Sequence, residues 1–140
     1  MIVSGVSFIL LAGACGGGDG GSGSPTSPTP TVAADRPAST AKLAIVSPRN
    51  GQVVQGSTVQ LKVSLKDAKV VRSANTDIVP DEGHLHVSLD DQVITMTGDL
   101  EQLVADLTPG QHLLKVEFVA SDHAPFDPRV IAAVAFEVKA

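Results

Sequence analysis

A chain of 140 residues with a formal net charge of −5, a single cysteine and neither tryptophan nor tyrosine lacks the chemistry for several functions. One cysteine forms no intrachain disulfide and no multi-thiolate metal site, whatever the redox state of the compartment. The acidic balance argues against nucleic acid as a partner, and without indole or phenol rings to stack on sugars, carbohydrate binding is disfavoured.

The chain opens with an apolar run over residues 2–11, too short to span a bilayer as a helix. Small residues follow in Leu11-Ala12-Gly13-Ala14-Cys15, where an export peptidase would cut, so residues 1–14 read as an export signal. The small-small-Cys ending resembles the lipobox of bacterial lipoproteins. That resemblance implies a lipid on Cys15 as the first mature residue, with the membrane as a partner through the anchor. The protein would then be exported and held at the outer face of the bacterial cytoplasmic membrane or at a periplasmic or cell-surface leaflet. The alternative is an ordinary cleaved signal with a stray cysteine. Residues 15–40 carry a Gly/Ser stretch, then a Pro/Thr stretch, without hydrophobic period. Such a segment buries too little apolar area to offset its chain entropy and is expected to be a flexible tether.

Residues 41–140 have the size of one domain with one core. They hold nine of the ten Lys/Arg and thirteen of the fifteen Asp/Glu. Apolar and polar residues alternate in Val59, Leu61, Val63 and Leu65, in Leu85, Val87 and Leu89, in Leu114, Val116 and Phe118, and in Val130, Ala132, Val134, Phe136 and Val138. This is the period of half-buried strands. Turn signals separate them: Pro48-Arg49-Asn50-Gly51, Asp90-Asp91, Gly98-Asp99 and Thr108-Pro109-Gly110. The expected order is strand A at 43–47, B at 58–66, C at 84–89, a further strand at 93–97, E at 101–107, F at 111–120 and G at 129–139. Strand E also suits one or two helical turns through Leu103, Val104 and Leu107. The fold class is all-β: a single antiparallel sandwich of about seven strands.

Leu107-Thr108-Pro109-Gly110-Gln111-His112-Leu113-Leu114, followed by a hydrophobic strand and Ser121-Asp122, resembles the E–F corner of immunoglobulin-like and fibronectin-like bacterial surface domains. Ile45-Val46-Ser47-Pro48-Arg49-Asn50-Gly51-Gln52-Val53 is similar to the first strand and turn of many secreted sandwiches. The resemblance implies an Ig-like fold and says little of function. In it, His112 takes the place of a corner tyrosine, in phase with Leu114, Val116 and Phe118, and is expected to turn inward and hydrogen-bond backbone.

Four histidines carry what chemistry the domain has: His84, His86, His112 and His123. His84 and His86 share a strand face opposite Leu85, Val87 and Leu89, so both imidazoles are expected on the outer surface of strand C. Antiparallel pairing of C with F sets the F–G loop, with His123, beside the start of C. Three imidazoles with the carboxylate of Asp122 in reach suit Cu(II) or Zn(II). Equally, a His-x-His on a sheet surface is a common polar alternation.

Ser47-Pro48-x-x-Gly51-x-Val53, Leu107-x-Pro109-Gly110 and Ser121-Asp122-His123 resemble the CopC-type periplasmic copper-binding proteins. In those, an Asp and a His of a late motif join an N-terminal His on Cu(II). No His begins this domain, and the late motif reads Asp122-His123-Ala124-Pro125, so only Asp122 and His123 carry over as copper ligands. Gly83-His84-Leu85-His86 is similar to the His-x-His strand of Cu/Zn superoxide dismutase, whose dinuclear site needs more histidines than the four here.

No catalytic set is expected. Ser121, Asp122 and His123 are consecutive and do not converge as nucleophile, base and orienter. Asp90-Asp91 reads as a hairpin turn. The chain therefore reads as a lipid-anchored, non-catalytic binding module with a copper or zinc site on His84, His86, His123 and Asp122. The alternative is a structural or adhesive module acting through a protein partner without metal.

Overall fold

Alternation along the chain resolves into strands with one dry and one wet face. The computed structural model describes residues 35–72 and 76–140; the expected export signal, Cys15 and most of the tether lie outside them. The strands are β1 (Lys42–Ser47), β2 (Gln52–Gln55), β3 (Val59–Lys66), β4 (Lys69–Val70), β5 (Glu82–Leu89), β6 (Gln92–Thr97), β7 (Glu101–Val104), β8 (Gly110–Ala120) and β9 (Pro125–Lys139).

One sheet runs β1-β3-β7 and the other β2-β9-β8-β5-β4, with β6 also on β5. The expected strands A, B, C, E, F and G are β1, β3, β5, β7, β8 and β9, and the further strand is β6. The 101–107 segment is a strand over Glu101–Val104, because β3 offers it a partner edge: Val59 faces Val104 and Lys62 faces Glu101. Two strands escaped the sequence reading. Short β2 leaves the first sheet to run parallel to the end of β9, and two-residue β4 runs parallel to the start of β5.

Val59, Leu61 and Val63 of β3 face Leu85 and Val87 of β5, Leu114, Val116 and Phe118 of β8, and Phe136 and Val138 of β9 across a dry interior. Phe118 stacks on Phe126, ring centroids 5.4 Å apart. Each such side chain contributes roughly 1.5–3 kcal/mol on burial. Asp90 and Asp91 form the two-residue β5–β6 turn with φ of 49° and 65°, the left-handed pair that a tight hairpin needs.

The packed chain begins ahead of residue 41. Asp127 N–H donates to the Pro37 carbonyl at 3.1 Å, and the Asp81 carboxylate accepts from the Ser39 hydroxyl at 2.7 Å and from Thr40 N–H at 2.6 Å. Residues 36–40, assigned to the tether from their polarity, are held on the domain by hydrogen bonds and one ion pair, which carry no hydrophobic period.

Candidate metal centre

Because Leu85 and Val87 fill the core, His84 and His86 of β5 stand on the opposite face of their sheet. β5 lies antiparallel to β8 with His84 opposite Val119 and His86 opposite Glu117. The end of β8 and the turn that leads into β9 therefore lie beside the start of β5. That turn is closed by His123 N–H donating to the Ala120 carbonyl at 3.0 Å and Ala120 N–H donating to the Ala124 carbonyl at 3.1 Å. His123 sits in the left-handed region at φ 66°. A non-glycine residue pays roughly 1–2 kcal/mol there, and such strain is found at ligand clamps. The strained turn carries the His123 ring back to the two rings of β5.

The three rings converge through their nitrogens. Nε2 of His84 lies 3.2 Å from Nε2 of His86 and 2.9 Å from Nδ1 of His123, and the last two are 3.4 Å apart. In each pair the ring centroids stand farther apart, at 5.0, 4.3 and 5.6 Å, so the nitrogens point inward. A circle through the three nitrogens has a radius of about 1.8 Å, so all three would be within the usual metal–imidazole distance of about 2.0–2.1 Å of a single ion. Three nitrogens so placed could hold one ion between them.

Hydrogen bonding serves this triangle only in part, since one shared N–H leaves two lone pairs facing each other. Each nitrogen presents either an N–H or a lone pair, so among three of them two must present the same, and like faces like at hydrogen-bond distance. A cation taken by three lone pairs removes the conflict. For His84 and His86 the electrostatics favour the neutral ring. Burial pushes the His84 imidazole down to about 4, helped by His123 and His86 and opposed by Asp122. His86 is lowered by burial and by His123, against Glu117. Both are neutral, ligand-ready imidazoles at pH 7.

His84 is only 7% exposed. The outward direction expected for it holds, but the site is a half-covered recess rather than an open surface, because the β8–β9 turn and its His123 fold against it. The structure does not bring Asp122 into the converging group, which consists of the three imidazoles. Both its oxygens are taken by the Arg36 guanidinium at 2.6 and 2.9 Å, which holds its carboxyl down at about 2. Arg36 also donates to the Pro125 and Ala124 carbonyls at 2.8 and 3.0 Å, so Arg36 and Asp122 fasten the turn that presents His123. The sequence hid this pairing, since Arg36 lies in the polar stretch assigned to the tether. It also passed over Met96, which is the β6 partner of His86 and shares a cleft of about 260 Å³ with His84 and His123.

His112 stands apart from the cluster. It is 8% exposed, with Nε2 at 2.7 Å from the Thr108 carbonyl and Nδ1 at 2.7 Å from the Asp90 carboxylate. Both partners are acceptors, so these contacts favour the doubly protonated ring. Its pKa is raised, by the Thr108 carbonyl first and by Asp90 against burial. The expected backbone bond at the corner is present, and the tie to Asp90 adds the β5–β6 turn to it.

No protein-family model matches the sequence, and no curated protein does. Among solved structures the chain is similar to the fibronectin(III)-like modules of Clostridium thermocellum CbhA, with a TM-score of 0.50 and 17% identity over 69% of this chain and 94% of that one. The PKD domain of human KIAA0319 gives a TM-score of 0.44 at 18% identity, over 84% and 92% of the two chains. At such identities the CbhA likeness speaks of fold alone, and with the strand order above it makes the domain an all-β, Ig-like sandwich.

Proposed function

We propose that the protein is an exported, non-catalytic metal-binding module whose centre is His84, His86 and His123. The observation that carries the reading is the convergence of three ring nitrogens within 3.4 Å of one another, two of them on imidazoles that burial keeps neutral. Copper and zinc are the ions that neutral imidazole serves best. The ion would bind to the three nitrogens, with the Arg36–Asp122 pair holding the turn in place. Lipid on Cys15 would anchor the module at the membrane, and it rests on the lipobox-like sequence alone. Mass spectrometry of the mature chain tests the anchor: an unmodified thiol at Cys15, or a first residue beyond it, refutes it.

Metal analysis of protein purified without a histidine tag tests the centre. One copper or zinc per chain is expected, with loss on His84→Ala, His86→Ala or His123→Ala and retention on His112→Ala. Binding that falls equally in all four variants would mark scattered uptake and return the molecule to the adhesive reading, in which a protein partner meets an exposed sheet face.

A further inference from the structure

The donors of the proposed centre are neutral. The two acids whose charges act on these imidazoles are engaged by guanidinium groups: Asp122 by Arg36 at 2.6 and 2.9 Å, and Glu117 by Arg129 at 2.7 and 2.5 Å. No carboxylate is among the described residues that line the cleft. What the cleft does offer is a thioether. Met96 of β6 is directly opposite His86, and residues so paired share a sheet face with Cβ atoms about 4.5–5.5 Å apart. Met96 lines the cleft with His84 and His123 and is 56% exposed, an unbranched side chain with little to hold it elsewhere. Its rotatable bonds let the sulfur swing towards the imidazole face.

We propose that Met96 supplies the fourth ligand and that the ion this centre is built for is cuprous copper. The inference rests on the three-histidine reading and narrows it to one ion. A soft thioether suits Cu(I) over hard cations, and it is not among the thiolate, imidazole and carboxylate groups that usually hold zinc. Charge points the same way. Desolvation cost grows with the square of an ion's charge, and four neutral donors return none of it as ion pairing, so a monovalent ion is retained in this recess at much lower cost than a divalent one.

The test uses the full chain with Cys15→Ser in every arm, so that no thiol competes, and without a histidine tag. Cu(I), kept reduced by ascorbate under nitrogen, is titrated against the chromophoric chelator bicinchoninate, and Zn(II) is titrated separately. Expected is one Cu(I) per chain, with Met96→Leu weakening it about ten-fold or more, the scale on which lost supporting groups act at metal sites. Zn(II) affinity in the same variant should stay within about two-fold. Copper-edge X-ray absorption should show one sulfur neighbour in the parent and none in Met96→Leu. Unchanged Cu(I) affinity in Met96→Leu, with binding still abolished by His84→Ala, overturns the thioether ligand and leaves the three-histidine centre intact. Cu(I) and Zn(II) binding no tighter than that of a His84→Ala, His86→Ala, His123→Ala variant overturns both.

Discussion

Acidifying the metal-free chain should cost it stability through His84 in particular. The side chain is 7% exposed, and its folded pKa of about 4 lies well below the ordinary 6.5. The unfolded chain takes up this proton as pH falls through 6.5, while the folded chain resists until near 4. Between those values the unfolded state holds more protons, so stability falls with falling pH; above 6.5 the group contributes no pH dependence. At about 1.36 kcal/mol per unit, the gap between 6.5 and about 4 is worth roughly 3 kcal/mol. That is a large part of the 5–15 kcal/mol typical of a domain. Urea denaturation followed by circular dichroism, in chelator at several pH values from 7.5 to 4, measures it in the parent and in His84→Gln, which has no proton to gain. The parent should lose roughly 3 kcal/mol more than the variant over this window. If the difference between the two is the same at every pH, burial does not act on this imidazole and the case for ligand-ready nitrogens fails.

Other expectations are checked by the same denaturation assay. Gly83→Ala should destabilise by more than the roughly 1–3 kcal/mol of ordinary overpacking, because its methyl would overlap the Val119 carbonyl; Gly98→Ala, meeting only Arg72 and Val70 side chains, should be mild. Phe118→Ala should cost roughly 3–5 kcal/mol and Lys62→Ala little, and equal costs would overturn the assigned faces. His112→Gln should cost most below pH 6.5 and progressively less as pH rises through the raised folded pKa, the reverse of His84→Gln. Arg36→Ala should lower the midpoint at neutral pH, because Asp122 loses the partner that holds its carboxyl low, and should weaken metal binding in titration calorimetry, because the turn of His123 loses its fastening.

The sequence made legible whatever rests on a local period. Alternation in Val59–Leu65 and Leu85–Leu89 set the faces, and from the faces came the direction of His84 and His86. The antiparallel neighbourhood of β5 and β8 then brought His123 to them. What it concealed lies in pairings between distant segments. Arg36 meets Asp122 across 86 residues, and an ion pair has no period to betray it. Four-residue β2 is too short to show alternation and is a strand only because the edge of β9 receives it. Met96 sits in an unremarkable run, Val93-Ile94-Thr95-Met96-Thr97, and its place opposite His86 depends on the irregularity between Val87 and Ser88. Asp90 was readable as a turn residue, yet not as the acceptor of Leu113 N–H at 2.8 Å and of the His112 ring.

A His-x-His pair on a strand is therefore only two-thirds of a centre, and the register of β5 on β8 decides whether it becomes one. Sliding β5 by a single residue would turn both imidazoles into the core and Leu85 and Val87 to solvent. Sliding it by two would keep the faces but carry the pair a strand step of about 6.6 Å along β8, beyond the reach of His123. Gly83 opposes both slips. It faces Ala120 at the point where the Val119 carbonyl approaches too closely for any side chain, so the adjoining residue, His84, is fixed opposite Val119. The Gly83-His84-Leu85-His86 run thus couples a close backbone approach to the two imidazoles whose placement depends on it, so Gly83→Ala should weaken metal binding at the proposed centre as well as destabilise the domain.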